Sequence, residues 1–334
     1  MAHAGRAVGG GEFGLLKGIV MKTKSRALVV LAGVIVIALA LILVRRTGVS
    51  GGLKAAFDAE FLTRPDGYEG LARRYGFRFP APPMQMDQGL MYRAISDEAV
   101  DVIDGFATDG RIPAYSLKVL EDDEHFFPPY YAAPLVRAET LKKHPELEEV
   151  LNRLAGKLPD KAMRNLNYEV DEKGRKAAEV AEEFLLGAGL VMQADEPGEG
   201  SAGTIVITGK HFTEQEILGE AMAILIERST DLKVQRKLNL GGTMICFNAL
   251  KAGDVDLYPE YTGTGLVNIL KREVISDPDE AYDVVKKAFR SEYDLVLLKP
   301  FGFNNTYTLT MRRDHARQLG IETISDLANY IRTH

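Results

Sequence analysis

Two periods of apolar residues alternate along most of the chain. Short apolar runs of strand length, such as Thr204–Thr208 (TIVIT) and the run in VDVIDGFATDG from Val100, end in Gly, Pro or Asp. Between them lie stretches with apolar residues three and four apart, as in Glu139–Leu158, Asp160–Val170 and Lys176–Leu190. In the first part, Leu53–Phe61 reads as a strand leading into a turn, and Arg64–Gly76 as a turn, a short helix and a glycine stop. Asp87–Ser96 reads as a helix. Lys118–Arg137 reads as a strand, a polar turn and a Pro-interrupted extended segment. Ala194–Gly203 (ADEPGEGSAG) holds Gly, Pro, Ser and acid with nothing to bury, the composition of a linker. After it, Thr204–Thr208 leads through a turn into a capped amphipathic helix, then a short strand, then LGGT (Leu240–Thr243) into another helix, then DLYPEYTGTG. No internal repeat is evident. This alternation predicts an α/β protein with mainly parallel sheets.

Ala27–Val44 breaks the pattern. It is an 18-residue run without a charge, about 27 Å long as a helix against a hydrocarbon core of about 30 Å. No polar face exists, which argues against a buried core helix. A cleaved signal peptide competes with an uncleaved anchor. The run ends directly in Arg45–Arg46 with no small-residue cleavage site, which favours the anchor. Lys17, Lys22, Lys24 and Arg26 outnumber Arg45–Arg46, so the expected N-terminus is cytoplasmic and the body extracytoplasmic. The expected segments are 1–26 (cytoplasmic extension), 27–44 (single-pass transmembrane anchor), 51–193, the linker 194–203, and 204–334.

Charge narrows the partners. The first fifty residues hold seven Lys/Arg against one Glu, and the whole chain is −6, so residues 51–334 carry −12. That body disfavours nucleic acid and leaves a small cation acceptable. The one cysteine, Cys246, excludes an internal disulfide and lies in an apolar helical pattern, as a buried thiol does. GxSxG, HExxH, P-loop and CxxC motifs are absent, and the six histidines are scattered. No cofactor is implied, and an enzyme lacks its acid, base, nucleophile or metal set. LGGT before a helix offers backbone N–H groups to an anion, or is a plain tight turn.

The motifs FTEQ, LNLGGT, DLYPEYTGTG and FGFNNTY resemble the N-terminal part of the substrate-binding proteins of osmoprotectant ABC importers. TDGRI, LEDDEHFFPPYYAAP and LNRLAGK resemble their C-terminal part. The two parts stand in reversed order, as in a circular permutant; an artefact of sequence assembly or a junction of two truncated tandem domains is the alternative. The resemblance implies a two-lobed α/β periplasmic-binding-protein fold (type II-like) with a hinge. It implies capture of glycine betaine, choline or a similar quaternary ammonium ion, delivery to an ABC permease with a separate ATPase, and no enzyme activity. A sensor or a remnant binding module on the same fold is the alternative. The expected lobes are Thr204–Met311 with Ala114–Leu190, and Leu53–Pro113 with Arg312–His334. Carried over residue by residue, a ring box is expected from Tyr261, Tyr307, Tyr115 and Tyr92. Gln215 and Thr264 would meet the ligand's polar end, and Tyr130–Tyr131 would be structural.

Overall fold

Strands form where the apolar runs are bounded by turn residues: β1 (Ala55–Phe57), β2 (Met84–Gln85), β3 (Val102–Phe106), β4 (Leu117–Val119), β5 (Ala132–Arg137), β6 (Gly203–Lys210), β7 (Leu232–Gly241), β8 (Leu257–Tyr261), β9 (Leu295–Leu297) and β10 (Tyr307–Arg312). The computed structural model describes residues 52–194 and 196–334. The proposed membrane segment 27–44 lies outside the described residues. No described helix is long and apolar enough to cross a membrane.

The strands build two five-stranded sheets, ordered β2-β1-β3-β10-β4 and β7-β6-β8-β5-β9. In the first, β1 runs parallel to β2 and β3, while β10 is antiparallel to β3 and β4. In the second, β6 runs parallel to β7 and β8, while β5 is antiparallel to β8 and β9. The sheets are therefore mixed, not mainly parallel, with one reversed strand in each. That strand comes from the other half of the chain. Each half lays four strands in one sheet, then crosses to place its fifth in the other sheet, then finishes in helices. The two halves are topological copies, although their sequences carry no visible repeat.

This pairing moves the lobe boundary from the one expected. Leu117–Val119 and Tyr307–Arg312 pair with each other along Thr310↔Val119, Met311↔Lys118 and Arg312↔Leu117, so both belong with β1 and β3. The chain crosses between lobes within residues 120–131 and 298–306. Hydrogen-bond pairing, invisible in local composition, decides the boundary.

Local signals explain the helices that frame the sheets. Asp58 caps Ala59–Thr63 by accepting from Phe61 N at 2.8 Å. Gly76, at φ 66°, stops Tyr68–Tyr75 in the left-handed conformation that glycine adopts without penalty. Thr323 and Asp326 form a reciprocal capping box on Ile324–Thr333. The helix Thr213–Ser229 is neither side-chain-capped nor amphipathic. Its N-cap is Phe212, and Glu214, Gln215, Leu218, Met222 and Leu225 on several faces are all buried. It is wedged between its sheet and the helix Ala177–Gly187, so few faces meet water.

Both chain ends of the described body border the same segment. Gly52 abuts Pro80, and the Arg332 guanidinium donates to Tyr75 O at 2.9 Å and Gly76 O at 3.0 Å. The linker is largely exposed, as its composition implies. It is also pinned by Gly198 N to Glu227 O at 2.8 Å and Ala202 N to Asp231 O at 3.2 Å.

β1 is short, and its hold on the fold is its aromatic anchor. Phe57 is fully buried, with ring centroids 5.2 Å from Phe61, 5.2 Å from Tyr68 and 5.8 Å from Phe79. Replacing Phe57 by Ala is expected to lower unfolding stability by about 3–5 kcal/mol, read from the shift of the urea midpoint at unchanged slope.

Candidate functional site

The ends of strands from both sheets converge on one cleft of about 680 Å³. Asp58 follows β1, Phe106 ends β3, Lys210 ends β6 and Tyr261 ends β8; each of these strands belongs to the parallel set, whose C-terminal ends carry ligand sites in open α/β sheets. The two reversed strands enter from the same side. Tyr307 opens β10, and Tyr130 lies just ahead of β5.

The rings form a continuous wall drawn from both lobes. Centroids run 5.5 Å from Tyr130 to Tyr307, 5.0 Å to Phe106, 6.1 Å to Phe212 and 6.3 Å to Tyr261. Two cations are built into it. Arg64 lies 5.8 Å from the Tyr130 centroid and 5.3 Å from that of Tyr307. Its guanidinium grips Asp66 at 2.9 and 2.7 Å and donates to Thr264 Oγ1, in the other lobe, at 3.1 Å. The Lys210 ammonium sits 5.0 Å from the Tyr261 centroid and 2.6 Å from Glu260 Oε1.

Behind the wall lies Glu214, 3% exposed. It accepts from Thr108 Oγ1 at 2.5 Å, Tyr261 Oη at 2.8 Å, Asn305 Nδ2 at 2.9 Å and Asn167 Nδ2 at 3.0 Å. Burial raises its pKa above the ordinary glutamate value, with the four hydrogen bonds opposing.

A latch spans the cleft mouth. The Glu60 carboxylate accepts from Thr243 N at 2.8 Å and Thr243 Oγ1 at 3.0 Å, at the start of the helix Thr243–Ala252. The anion at LGGT is thus a side chain of the opposite lobe.

The sequence profile described as the substrate binding domain of an ABC-type glycine betaine transport system matches residues 47–186 and 203–333. The chain belongs to this family. A carnitine transport binding protein of Listeria monocytogenes is 45% identical over 139 residues, 41% of this chain and 44% of that protein. A glycine-betaine-binding protein of Pseudomonas aeruginosa is 39% identical over 131 residues, 39% of this chain and 42% of that one. The chain therefore spans less than half the length of these curated relatives. A solved structure titled as a glycine betaine/carnitine/choline ABC transporter is 44% identical, covering 42% of this chain and 52% of that chain, with a TM-score of 0.34.

Three of the expected site residues of this family member meet in the cleft: Tyr261, Thr264 and Tyr307. Three do not. Tyr92 is fully buried, with its hydroxyl facing Phe106 N at 3.3 Å and Arg111 stacked 4.3 Å from its centroid. It supports the wall from behind. Tyr115 donates to Glu172 at 2.7 Å, and its hydroxyl is pushed up to about 12 by burial and by Glu172. Gln215 is wholly buried, accepting from Lys210 N at 3.1 Å and donating to Pro259 O at 2.9 Å, so it stitches β6 to β8. Tyr130, expected to be structural, lines the cleft. Phe106, Phe212, Arg64 and Lys210 were not expected there. Phe106 had a readable signal, a ring at a strand end before a polar turn, matching Tyr261. Cys246 is buried, and burial pushes its thiol up to about 11.

Burial works to raise the Glu60 pKa, but Lys210, the Thr243 N–H and Arg64 outweigh it, so its value falls below the ordinary 4.5. A depressed carboxylate supports the latched form above its unpaired value and loses that support as pH drops through the lower latched value. Glu60→Gln is expected to weaken closure of the empty protein by about 1 kcal/mol. Small-angle scattering at neutral pH should report a larger radius for the variant. Acidifying the unaltered protein well below pH 4.5 should move it the same way, whereas identical radii would show that the latch carries no closure energy.

Proposed function

We propose that the protein captures a carboxylated quaternary ammonium solute, a betaine, outside the cytoplasm and delivers it to an ABC permease driven by a separate ATPase. The observation that carries this reading is Arg64. It stacks on Tyr130 and Tyr307 and reaches Thr264 across the cleft, so a cation donor set and an aromatic wall share one cavity. A quaternary ammonium ion has no N–H to donate and is best held by ring faces. Phe106, Phe212, Tyr261 and Tyr307 supply these. A carboxylate needs donors, and Arg64, Lys210 and Thr264 supply those. Choline offers Arg64 and Lys210 no anion, so the lining fits a zwitterion better than a bare cation. Membership of the glycine betaine family agrees with this reading.

Calorimetric titration of the protein with glycine betaine, carnitine and choline tests it. The carboxylated ligands should bind at least about tenfold more tightly than choline, the worth of one charge-assisted hydrogen bond. Arg64→Gln should remove most of that preference. Equal affinity for choline and glycine betaine would sink the carboxylate reading. Tyr261→Leu should weaken betaine binding by about 0.5–2 kcal/mol, and Tyr261→Phe by less, because the ring face remains.

Two features complete the proposal. Residues 27–44 act as an uncleaved anchor, supported by their apolar length and flanking charges. N-terminal sequencing of the membrane fraction checks this, and a soluble form starting near residue 47 refutes it. The order of the halves is a circular permutation of the family's, supported by their equivalent topology and by the two separate matched segments. Each half ends in the lobe where the other half begins, so the fold is a ring that tolerates a cut at either junction. Moving 204–334 ahead of 51–193 should preserve monomeric folding and betaine affinity. A reordered chain that folds but binds nothing would leave the tandem-junction reading.

A further inference from the structure

Glu214 is a buried ionisable group that ligand capture, as described, does not use. Its four partners are all neutral donors. The two asparagines are oriented by their other bonds. Asn167 Nδ2 also donates to Thr108 O at 2.9 Å, and Asn305 Oδ1 accepts from Thr108 N at 3.3 Å. One amide N–H₂ therefore faces each carboxylate oxygen, the arrangement an ionised carboxylate satisfies. Among the described residues no ion pair includes Glu214. In its ionised form Glu214 places a negative charge behind the aromatic wall, met by neutral donors and shielded from water.

Two of its four donors belong to residues lining the cleft, Tyr261 and Asn305. The Tyr261 link matters most. A phenol that donates to an anion shifts electron density into its ring and deepens the negative potential of the ring face. The same charge acts directly through a medium of low dielectric. From this geometry we infer that Glu214 is the positioning residue that makes the cleft selective for a cation: it orients Tyr261, and its charge strengthens that ring's hold on a quaternary ammonium group. The inference rests on the betaine reading of the same cleft. It also gives the FTEQ motif a different working residue: Gln215 fastens strands, and Glu214 sets the electrostatics. A purely structural Glu214 would hold the ring in place and affect charged and uncharged ligands alike.

The test compares glycine betaine with its carbon isostere, tert-butylacetate, which keeps the shape and carboxylate and lacks the positive charge. Affinities are measured by calorimetry on the full chain. The unaltered protein should prefer betaine. Glu214→Gln should cut that preference by about tenfold. Tyr261→Phe should cut it less, and the double variant should be no worse than Glu214→Gln alone, because the effect passes through the shared hydrogen bond. Glu214→Asp, which keeps the charge, should retain most of the preference. Equal weakening of both ligands by Glu214→Gln, or strictly additive effects, would overturn the inference while leaving betaine capture intact. A protein that binds the isostere as tightly as betaine would overturn the inference and the betaine reading together. If Glu214→Gln does not fold, an unchanged preference in Tyr261→Phe refutes the inference and a reduced one supports it.

Discussion

Burying a guanidinium is the constraint around which the cleft is arranged. Arg64 is 4% exposed, and an ionised group taken that far from water is destabilising by several kcal/mol unless it is paired and hydrogen-bonded. Asp66 meets two of its nitrogens in a fork, Thr264 meets a third, and Tyr130 and Tyr307 cover its faces. Those partners come from the first lobe, the second lobe and one crossing segment. Satisfying one side chain therefore requires the lobes to approach in one register. Tyr130 is held in turn by its hydroxyl bond to Asp66. The charge fixes the floor of the site, and the floor fixes which rings face inward.

The repeated topology explains why such a site can be shared between lobes. Each sheet takes its fourth-position strand from the opposite half of the chain, so neither lobe is complete alone. The reversed strand in each sheet starts at the cleft and carries an aromatic residue there: Tyr307 at the head of β10, Tyr130 just before β5. Parallel strands bring their C-terminal ends to the same place. Six strand ends and two crossings thus deliver side chains to one cavity, with no long loop needed to reach it.

Much of this was legible in the sequence, and the remainder was lost for identifiable reasons. The strand and helix segments follow from apolar periodicity, and the strand-end loops EYTGTG and FNNTY bring Tyr261, Thr264 and Tyr307 to the cleft because such loops are local features. Gln215 and Glu214 are adjacent in FTEQ on a helix that is buried on several faces. Only the register of that helix against β6 and β8 decides which one faces the ring wall, and register is a tertiary property. Arg64 sits in RPDG, a segment that reads as a plain turn, and its partner Thr264 is two hundred positions away. Tyr130 reads as packing because its Pro-Pro neighbours signal an extended crossover, which is also true. The lobe boundary failed because β4 and β10 join by pairing across the chain, and no local composition marks it. Residue 106 carried the same local signal as Tyr261, a ring at a strand end before a polar turn, and could have been read the same way.

The cleft also sets how ligand and closure must be related. Rings come from both lobes, so a ligand touches its full contact set only when the lobes meet, and it can shift the equilibrium only by that difference in contacts. The Glu60–Thr243 latch and the Arg64–Thr264 bond already join the lobes without a ligand. A strong latch would keep the empty protein closed and bar entry; a weak one would leave the ligand to supply all of the closing energy. The two crossing segments are tied side by side, as Asn305 N donates to Tyr130 O at 3.1 Å and Tyr130 N to Asn304 Oδ1 at 2.7 Å. Tyr130 and Asn305 are themselves wall and hub residues, so opening about these segments must move the Arg64 platform and the Glu214 network together. Loss of the ring wall and loss of the buried Glu214 network are then one event, and an open cleft offers a ligand neither.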